Sequence, residues 1–388
     1  MASSHVFVLG GLAESLTNFR GPLLREFRNR NLRVTVAAGG PAPDDVARKL
    51  ADWGVEYVSV PLERAGLNPV KDFSTVTSLV SLFRQKKPDV FFGYTIKPVV
   101  YGLIAARLAG IPRRSAMLTG LGYAFTDGRE RSLVGRIAKT LLRSAVSLSH
   151  MTIFQNHDDL EFMRGSGVVS EAAPTGLVDG SGVDLEQYAA APLPEGPPTF
   201  LLIARLLRDK GISEYVEAAR IVKTAFPSAR FRLAGPFDPN PAAISKAEVE
   251  AWEREGVVEY LGPLADVRPA LGACHVYVLP SYREGTPRTV LEAMATGRAI
   301  ITTDAPGCRQ TVVDGDNGFL VPVQDPRAIA DRMLRYCAAP ELIEKCANSS
   351  RKIVSAKFEA REVARKTADL ILGSGRDVAA SSERHASA

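Results

Sequence analysis

The fold is decided by one stretch of the chain, HVYVLPSYREGTPRTVLEAMA at residues 275–295. Its start is apolar, β-branched and aromatic and ends at a proline, which is typical of a buried parallel strand. Thr286 is the candidate N-cap of a helix, with Pro287 at the first helical position, where its missing N–H breaks no hydrogen bond. The helix is expected to run to about Thr296, with an apolar stripe of Val290, Leu291, Met294 and Ala295. Strand, loop and helix in this order predict a βα unit of an open parallel sheet.

Two glutamates lie at the end of this strand and on the following helix. Glu284 falls in the loop, and Glu292 falls on the first turns of the helix. A helix N-terminus offers unpaired N–H groups that suit a phosphate, while carboxylates accept hydrogen bonds from sugar hydroxyls. A nucleotide sugar has both kinds of group. An ordinary βα unit with solvated acids could also contain a bare Glu-x7-Glu, so the surrounding frame matters.

That frame reads Pro-Ser-x-x-Glu-Gly-x-Pro-x-x-x-Leu-Glu-Ala-Met-Ala from Pro280 to Ala295. It resembles the donor-site motif of retaining family-4 glycosyltransferases of the GT-B fold. The resemblance spans nearly the whole chain and implies two Rossmann-like, doubly wound parallel-sheet α/β domains facing a cleft. It implies that Glu284 contacts the transferred sugar and Glu292 the ribose of a nucleotide-sugar donor. The other implied donor-binding residues are Gly285, Thr286, Pro287, Gly307, Asp266 and Val267.

Bulk composition fits this architecture. A chain of 388 residues, 46% of them hydrophobic, is long enough to build two cores. The net charge of 48 − 43 = +5 is too mild to indicate a nucleic-acid partner. The four cysteines form no Cys-x-x-Cys pair, which favours a reducing cytoplasm over a disulfide framework or zinc site. No signal peptide and no apolar run of 18 residues is apparent, so membrane contact is expected to be peripheral.

The first half of the chain alternates strands and helices, which is the rhythm of an open parallel sheet. Gly10-Gly11 follows the first strand, but the further glycines of a dinucleotide fingerprint are missing, which disfavours a dehydrogenase. The first sheet is expected to end near Met151–Phe154. The predicted domains are an acceptor-binding domain at 1–180, a nucleotide-sugar domain at 181–355, a helix at 356–373 that crosses back to the first domain, and a disordered tail at 374–388.

The acceptor is suggested by loops of the first half, at 16–21, 93–98 and 119–125. They resemble loops of family members that extend polyprenyl-diphosphate-linked sugars such as undecaprenyl-diphosphate-bacillosamine, although glycines and aromatics that only shape turns would give a similar composition. Many family members carry a histidine where this chain has Thr119-Gly120, so no catalytic histidine is predicted. The acceptor-side residues are Gly10, Gly11, Asn18, Arg20, Lys97, Thr119 and Gly120.

Two cations follow the first strand of the second half, Thr199–Ile203. Arg205 and Lys210 are expected at the carboxyl end of this strand, where they would stabilise the charge that a departing nucleoside diphosphate gains. Solvated charges at a strand end are the alternative. The resemblance assigns both cations and Glu284 to catalysis without a metal or other cofactor. Asp314-Gly315-Asp316 has the spelling of a metal-binding Asp-x-Asp, but its turn-forming neighbours predict a tight turn.

A basic helix is predicted from Arg129 to Leu148. Its cations Arg129, Arg136, Lys139 and Arg143 share one face, and Leu133, Val134, Ile137, Leu141 and Ala145 occupy another. No acid occurs from 131 to 148, so the basic face is free to meet anionic headgroups. A solvated basic face over a core helix is the alternative. The prediction is a cytoplasmic protein that docks peripherally on the inner face of the cell membrane.

Together these features predict a retaining, metal-independent glycosyltransferase of bacterial surface-glycan or N-glycan assembly. It would move a sugar, an N-acetylhexosamine by similarity, from a UDP-sugar to a polyprenyl-diphosphate-linked sugar. One alternative is a UDP-sugar 2-epimerase of the same fold, which needs no acceptor. The other is a non-catalytic nucleotide-sugar-binding protein, which the intact acids and cations disfavour.

Overall fold

The computed structural model describes residues 4–63, 68–120, 133–240 and 242–373. It divides into two compact units. The first contains the described residues up to Ser181 and those from Arg361 onwards, and the second is Gly182–Ala360. The predicted tail at 374–388 lies outside the described residues.

Within the described residues, the first unit has a seven-stranded parallel sheet in the order β3-β2-β1-β4-β5-β6-β7. Its strands are β1 His5–Leu9, β2 Arg33–Gly39, β3 Glu56–Val60, β4 Val90–Tyr94, β5 Arg113–Leu118, β6 Met151–Phe154 and β7 Thr175–Leu177. The expectation that the sheet ends at Phe154 is wrong, because Thr175 pairs with Thr152 and adds β7. Three residues with a central glycine are too short and too weak a strand signal to be detected by pattern.

Helices cover both faces of the first sheet. They are α1 Ala13–Asn18, α2 Gly21–Asn29, α3 Asp44–Asp52, α4 Pro69–Lys86, α5 Ile96–Leu108, α6 Leu133–Val146, α7 His157–Gly165 and α14 Ala360–Leu372. Ala364 and Ile371 of α14 pack in one core with Val6 of β1. The predicted loop at 16–21 is wrong, because its residues end α1 and begin α2, and Gly93 and Tyr94 likewise belong to β4.

The second unit has, in the part of the chain that the structure describes, a six-stranded parallel sheet in the order β10-β9-β8-β11-β12-β13. Its strands are β8 Thr199–Ile203, β9 Arg230–Ala234, β10 Glu259–Tyr260, β11 Val276–Leu279, β12 Ala299–Thr303 and β13 Gly318–Val321. Its helices are α8 Ile212–Ala225, α9 Lys246–Arg254, α10 Arg268–Gly272, α11 Arg288–Thr296, α12 Pro326–Ala338 and α13 Pro340–Lys357. Because β8 and β11 are adjacent and parallel, the loops that follow them leave the same edge of the sheet.

Across the described ranges, no helix has the length and apolar character needed to cross a membrane.

Candidate active site

The loop between β11 and α11 carries Glu284. The helix after it begins at Arg288, so the predicted cap is wrong: the N-cap is Pro287, which makes no side-chain capping hydrogen bond. The Thr286 hydroxyl donates to the Gly285 carbonyl at 3.0 Å. The loop therefore extends one residue further than the turn chemistry predicts.

Lys210 and Glu284 form an ion pair at this sheet edge. The Lys210 Nζ lies 2.6 Å from Glu284 Oε1, and the two side chains are 14% and 20% exposed. Ser281 Oγ donates to the same carboxylate oxygen at 2.9 Å. Burial alone would lower the pKa of Lys210, but the Glu284 carboxylate outweighs burial and the net pKa is raised. Lys210 is therefore positively charged at neutral pH.

Two glycines allow the loops around this pair to approach one another. Gly211 has a φ of +69°, and a Cβ there would lie 2.2 Å from the Pro280 carbonyl oxygen. Gly307 has a φ of +79°, and its Cβ would lie 2.0 Å from the Glu284 carbonyl oxygen. Both positions combine left-handed backbone with contact to another loop, so they require glycine. Gly307 lies against the Glu284 backbone, and its contact with a donor sugar stays a prediction.

Arg205 is held by an acid that the sequence did not single out. Its Nη1 lies 2.8 Å from Asp238 Oδ2, in the loop after β9. The Arg205 side chain is 48% exposed, whereas Asp238 is 17% exposed. Since β8 and β9 are neighbours, this contact fixes the direction of Arg205 at the carboxyl edge while leaving its guanidinium open to an anionic ligand.

Glu292 is only 5% exposed on α11. Its Oε1 accepts from Arg288 Nε at 2.8 Å, and the buried Tyr188 lies in the same core cluster as Leu291 of α11. Burial raises the pKa of Glu292, while Arg288 and Tyr188 act in the opposite direction. Sequence reasoning missed Tyr188, which lies in the irregular segment of the second unit before β8, where composition gives no sign of a functional residue.

Glu284 lies in the loop before α11 and Glu292 on α11, and the charges of both act on the Tyr277 hydroxyl. Burial raises the pKa of the Tyr277 hydroxyl, and the charges of Glu292 and Glu284 raise it further. The Tyr277 hydroxyl itself donates to the Ile203 carbonyl of β8 at 3.0 Å. The side chain therefore adds a link between the adjacent strands β8 and β11.

Asp266 and Val267 lie just before α10. Val267 is the half-buried N-cap of α10, and Asp266 Oδ2 lies 2.8 Å from Arg268 Nη2. Burial and the Glu292 carboxylate raise the pKa of Tyr188, and Asp266 makes a smaller contribution in the same direction.

The predicted acceptor-side residues of the first unit lie near the carboxyl ends of β1, β4 and β5. Gly10 permits a close approach, because a Cβ there would lie 2.3 Å from the Tyr94 hydroxyl oxygen. Arg20 is only 4% exposed, and its guanidinium carbon lies 4.8 Å from the centre of the Tyr94 ring. Asn18 is exposed at the end of α1, and Gly11 follows Gly10 in the same turn. Arg20 is thus part of the packing of this unit, and its contact with an acceptor stays a prediction.

Lys97 lies in the first turn of α5, with its Nζ 3.5 Å from Asp72 Oδ1. Thr119 and Gly120 follow β5 at the same edge of the sheet. A cavity of about 580 Å³ opens at the ends of β2 and β3, and its polar side chains are Ser59, Glu63, Lys71 and Ser74. Lys71, which lines the cavity, and Asp72, which pairs with Lys97, are consecutive residues at the start of α4.

The predicted basic helix corresponds to α6. Arg129 lies outside the described residues, as do the side chains of Leu133 and Val134. The predicted apolar face is wrong for Ile137 and Leu141, which are 47% and 39% exposed, because the buried stripe consists of Leu142, Ala145 and Val146. Arg136 and Arg143 are exposed and Lys139 is half-buried, and none of the three forms an ion pair with another described residue. The exposed surface of α6 therefore combines cations with two large apolar side chains.

The Asp314-Gly315-Asp316 sequence, which has the Asp-x-Asp pattern, lies in a turn before β13. Gly315 has a φ of +79°, and its N–H donates to the Gly318 carbonyl at 2.8 Å. Asp316 Oδ1 accepts from the Ser349 hydroxyl at 2.8 Å. Among the residues that the structure describes, no group of three His, Cys, Asp or Glu side chains could hold a metal ion.

The two parallel-sheet units, with strand orders of the doubly wound type, define the GT-B class of α/β protein. Sequence comparison gives the family. Residues 19–173 match the glycosyl transferase 4-like domain, and residues 197–339 match the glycosyl transferases group 1. The chain therefore belongs to the group 1 glycosyltransferases with a 4-like first domain, and the resemblance inferred from the Glu-x7-Glu frame is confirmed.

Two relatives indicate the range of this family. The N,N'-diacetylbacillosaminyl-diphospho-undecaprenol alpha-1,3-N-acetylgalactosaminyltransferase of Campylobacter jejuni is 28% identical over 82% of this chain and 85% of its own length. The UDP-Gal:alpha-D-GlcNAc-diphosphoundecaprenol alpha-1,3-galactosyltransferase of Escherichia coli is 26% identical over 78% of this chain and 80% of its own.

Solved structures agree on the fold. The Anabaena protein HepE in complex with UDP and glucose superposes with a TM-score of 0.76 at 18% identity, over 94% of this chain and 98% of that chain. Sucrose-phosphate synthase from Thermosynechococcus elongatus gives a TM-score of 0.78 at 19% identity, over 97% and 100%. At these identities the likeness establishes the GT-B architecture.

Proposed function

We propose that this glycosyltransferase moves a sugar from a UDP-sugar to a sugar carried by a polyprenyl diphosphate. The observation that carries the proposal is the Lys210–Glu284 ion pair at 2.6 Å, built beside Arg205 in a group 1 glycosyltransferase. Two relatives that cover most of the chain are named for undecaprenyl-diphosphate acceptors. An N-acetylhexosamine is the proposed sugar, by similarity to the N-acetylgalactosaminyltransferase.

The donor is proposed to lie along α11 and the loop before it. Glu292, which is nearly buried and accepts a hydrogen bond from Arg288, also accepts from the ribose hydroxyls. Glu284 accepts from hydroxyls of the transferred sugar, and Lys210 keeps its carboxylate in place. Asp266, Val267, Gly285, Thr286, Pro287 and Gly307 complete the proposed donor contacts.

Arg205 and Lys210 are the proposed leaving-group stabilisers. The diphosphate gains negative charge as the glycosidic bond breaks, so cations already in place favour the transition state over the bound donor. We propose that the reaction requires no metal and retains the configuration of the sugar, so that the acceptor hydroxyl is attached on the face that the diphosphate leaves. Retention rests on the resemblance of the Glu-x7-Glu frame.

The lipid-linked acceptor is proposed to bind the first unit through Gly10, Gly11, Asn18, Arg20, Lys97, Thr119 and Gly120. A polyprenyl chain stays in a membrane, so the enzyme is proposed to work on the inner face of the cell membrane. Arg136, Lys139 and Arg143 of α6 form no ion pair with another described residue, and such cations, each worth about 1 kcal/mol near an anionic surface, support reversible docking there. The exposed Ile137 and Leu141 add apolar contact at the same surface.

Variants of the two acids test the donor assignment. Glu292→Gln is expected to weaken binding of UDP itself, whereas Glu284→Gln is expected to leave UDP affinity nearly unchanged and to reduce sugar transfer. Calorimetry with UDP and a transfer assay with a polyprenyl-diphosphate-linked sugar measure the two effects. Equal loss of UDP affinity in both variants would refute this division of roles. Epimerisation of the UDP-sugar without acceptor would point to the 2-epimerase, and binding without turnover to a non-catalytic protein.

A further inference from the structure

Two large apolar side chains are exposed on the first turns of α4. Val70 is 79% exposed and Phe73 is 71% exposed, more than any other large hydrophobic residue that the structure describes. Residues three apart lie on the same side of a helix, so the two side chains form one apolar patch. Single exposed apolar residues are ordinary on protein surfaces, whereas an exposed group of them indicates a surface that meets a partner.

The patch belongs to a layer of three helices on one face of the first sheet. Helix α5 packs against both α4 and α6. The three helices share one core through Leu79, Leu103 and Leu142. Because each helix follows a strand of a parallel sheet, its first turn lies near the carboxyl edge and its last turn near the amino edge. The patch is therefore at the carboxyl edge, where the predicted acceptor-side residues also lie.

The charge of the helix layer has one sign. Within the ranges of α4, α5 and α6, the only acid is Asp72, and Lys97 lies 3.5 Å from it. Five cations of these helices pair with no acid in the described ranges, namely Arg84, Arg107, Arg136, Lys139 and Arg143. Free cations beside exposed apolar side chains fit a membrane that contains anionic lipids, because headgroups attract the cations and the acyl region accepts the apolar groups.

We infer that Val70 and Phe73 insert into the membrane, and that the first unit docks through its helix layer with the carboxyl edge towards the lipid. This inference deepens the proposed function and rests on it, because a lipid-linked acceptor is what requires work at a membrane. The free cations draw the enzyme to the surface, and the patch adds a contact that salt does not screen. Lys71 and Ser74, the sequence neighbours of the patch, line the cavity at the ends of β2 and β3.

Sedimentation with vesicles of phosphatidylcholine and phosphatidylglycerol tests the patch. Phe73→Ser is expected to weaken vesicle binding by at least about tenfold, at low and at high salt alike, because an apolar contact is lost and no charge is removed. Leu108→Ser is the matched control. Leu108 is 60% exposed at the last residue of α5, on the same layer but at the amino edge, and its replacement should leave binding unchanged.

Phe73→Trp reports insertion directly. Its fluorescence is expected to shift to shorter wavelength on adding vesicles and to be quenched by lipids that carry bromine on their acyl chains. Leu108→Trp should show neither effect, and the unaltered enzyme gives the background from Trp53 and Trp252. An unquenched signal from Phe73→Trp would overturn the inference. Equal weakening of vesicle binding by Leu108→Ser would overturn the orientation.

Transfer assays separate the inference from the function beneath it. With a long-chain acceptor in vesicles, Phe73→Ser is expected to slow sugar transfer by at least about tenfold, in line with its weaker binding. With a short-chain, water-soluble polyprenyl-diphosphate-linked sugar, the variant and the unaltered enzyme should be equally fast. If the unaltered enzyme extends neither acceptor, the proposed function is wrong, and the quenching of Phe73→Trp still decides whether the patch inserts.

Discussion

Replacing Lys210 by methionine removes the ammonium group and keeps most of the aliphatic stem. The Lys210 Nζ lies 2.6 Å from Glu284, and the side chain is 14% exposed. Although burial alone would lower it, the pKa of Lys210 is raised by the Glu284 carboxylate. The residue is therefore fully charged when the diphosphate departs, and its replacement removes a whole positive charge from a largely buried position.

The expected loss falls mainly on turnover. Removing one preorganised donor from a site where charge develops typically costs about 10²- to 10³-fold in kcat, or about 2.7–4 kcal/mol. The intact UDP-sugar carries less charge at the bond that breaks, so its Kd is expected to rise less than about tenfold. Lys210→Met should thus lower kcat by at least about 10²-fold while changing donor affinity much less.

Two measurements decide this prediction. UDP release at saturating donor and acceptor gives kcat, and calorimetry without acceptor gives the Kd of the UDP-sugar. Lys223→Met, on α8 of the same unit, is the matched control and should behave like the unaltered enzyme. Thermal unfolding of Lys210→Met shows whether Glu284, left without its cation, destabilises the fold. A large rise in Kd with unchanged kcat would mean that Lys210 binds donor and transition state equally, which refutes leaving-group stabilisation.

Three further outcomes are expected. Arg205→Ala should also lower kcat more than donor affinity, and a change confined to affinity would contradict its role. Arg298→Met should lower the free energy of unfolding by about 3 kcal/mol in denaturant titration, because five carbonyls lose their buried charged donor; a loss below about 1 kcal/mol would show that its hydrogen bonds are replaced. Replacing Arg136, Lys139 and Arg143 by Gln should abolish salt-sensitive sedimentation with anionic vesicles while sparing UDP binding, and unchanged sedimentation would remove α6 from the membrane proposal.

The sequence predicts the helices and strands whose own residues form a clear hydrophobic pattern. The apolar run before Glu284 forms β11, and the stripe after it forms α11, because both signals come from adjacent residues. The face of α6 is different, since apolar residues occur on two sides of that helix and only packing selects Ala145 over Ile137 for burial. Strand β7 depends on its partner β6 and has almost no signal of its own.

The residues of the candidate site likewise fall into those that local sequence predicts and those that it does not. The local sequence indicates the chemistry of Glu284, Glu292 and Lys210. It gives no such indication for Tyr188 and Arg298. Tyr188 becomes part of the site only through contacts with α11, and Arg298 is buried only because distant carbonyls converge on it. Tertiary contacts of this kind join residues far apart in sequence, so neither composition nor periodicity reveals them.

The central claim is tested most directly by the mass and configuration of the lipid product. Purified enzyme is incubated with each of several UDP-sugars and a polyprenyl-diphosphate-linked sugar, with a chelator in half of the reactions. The account predicts that the lipid gains one sugar, with the anomeric configuration that the sugar had in the donor, and that the chelator changes nothing. An unchanged lipid accompanied by epimerised UDP-sugar, or a product of inverted configuration, would contradict it.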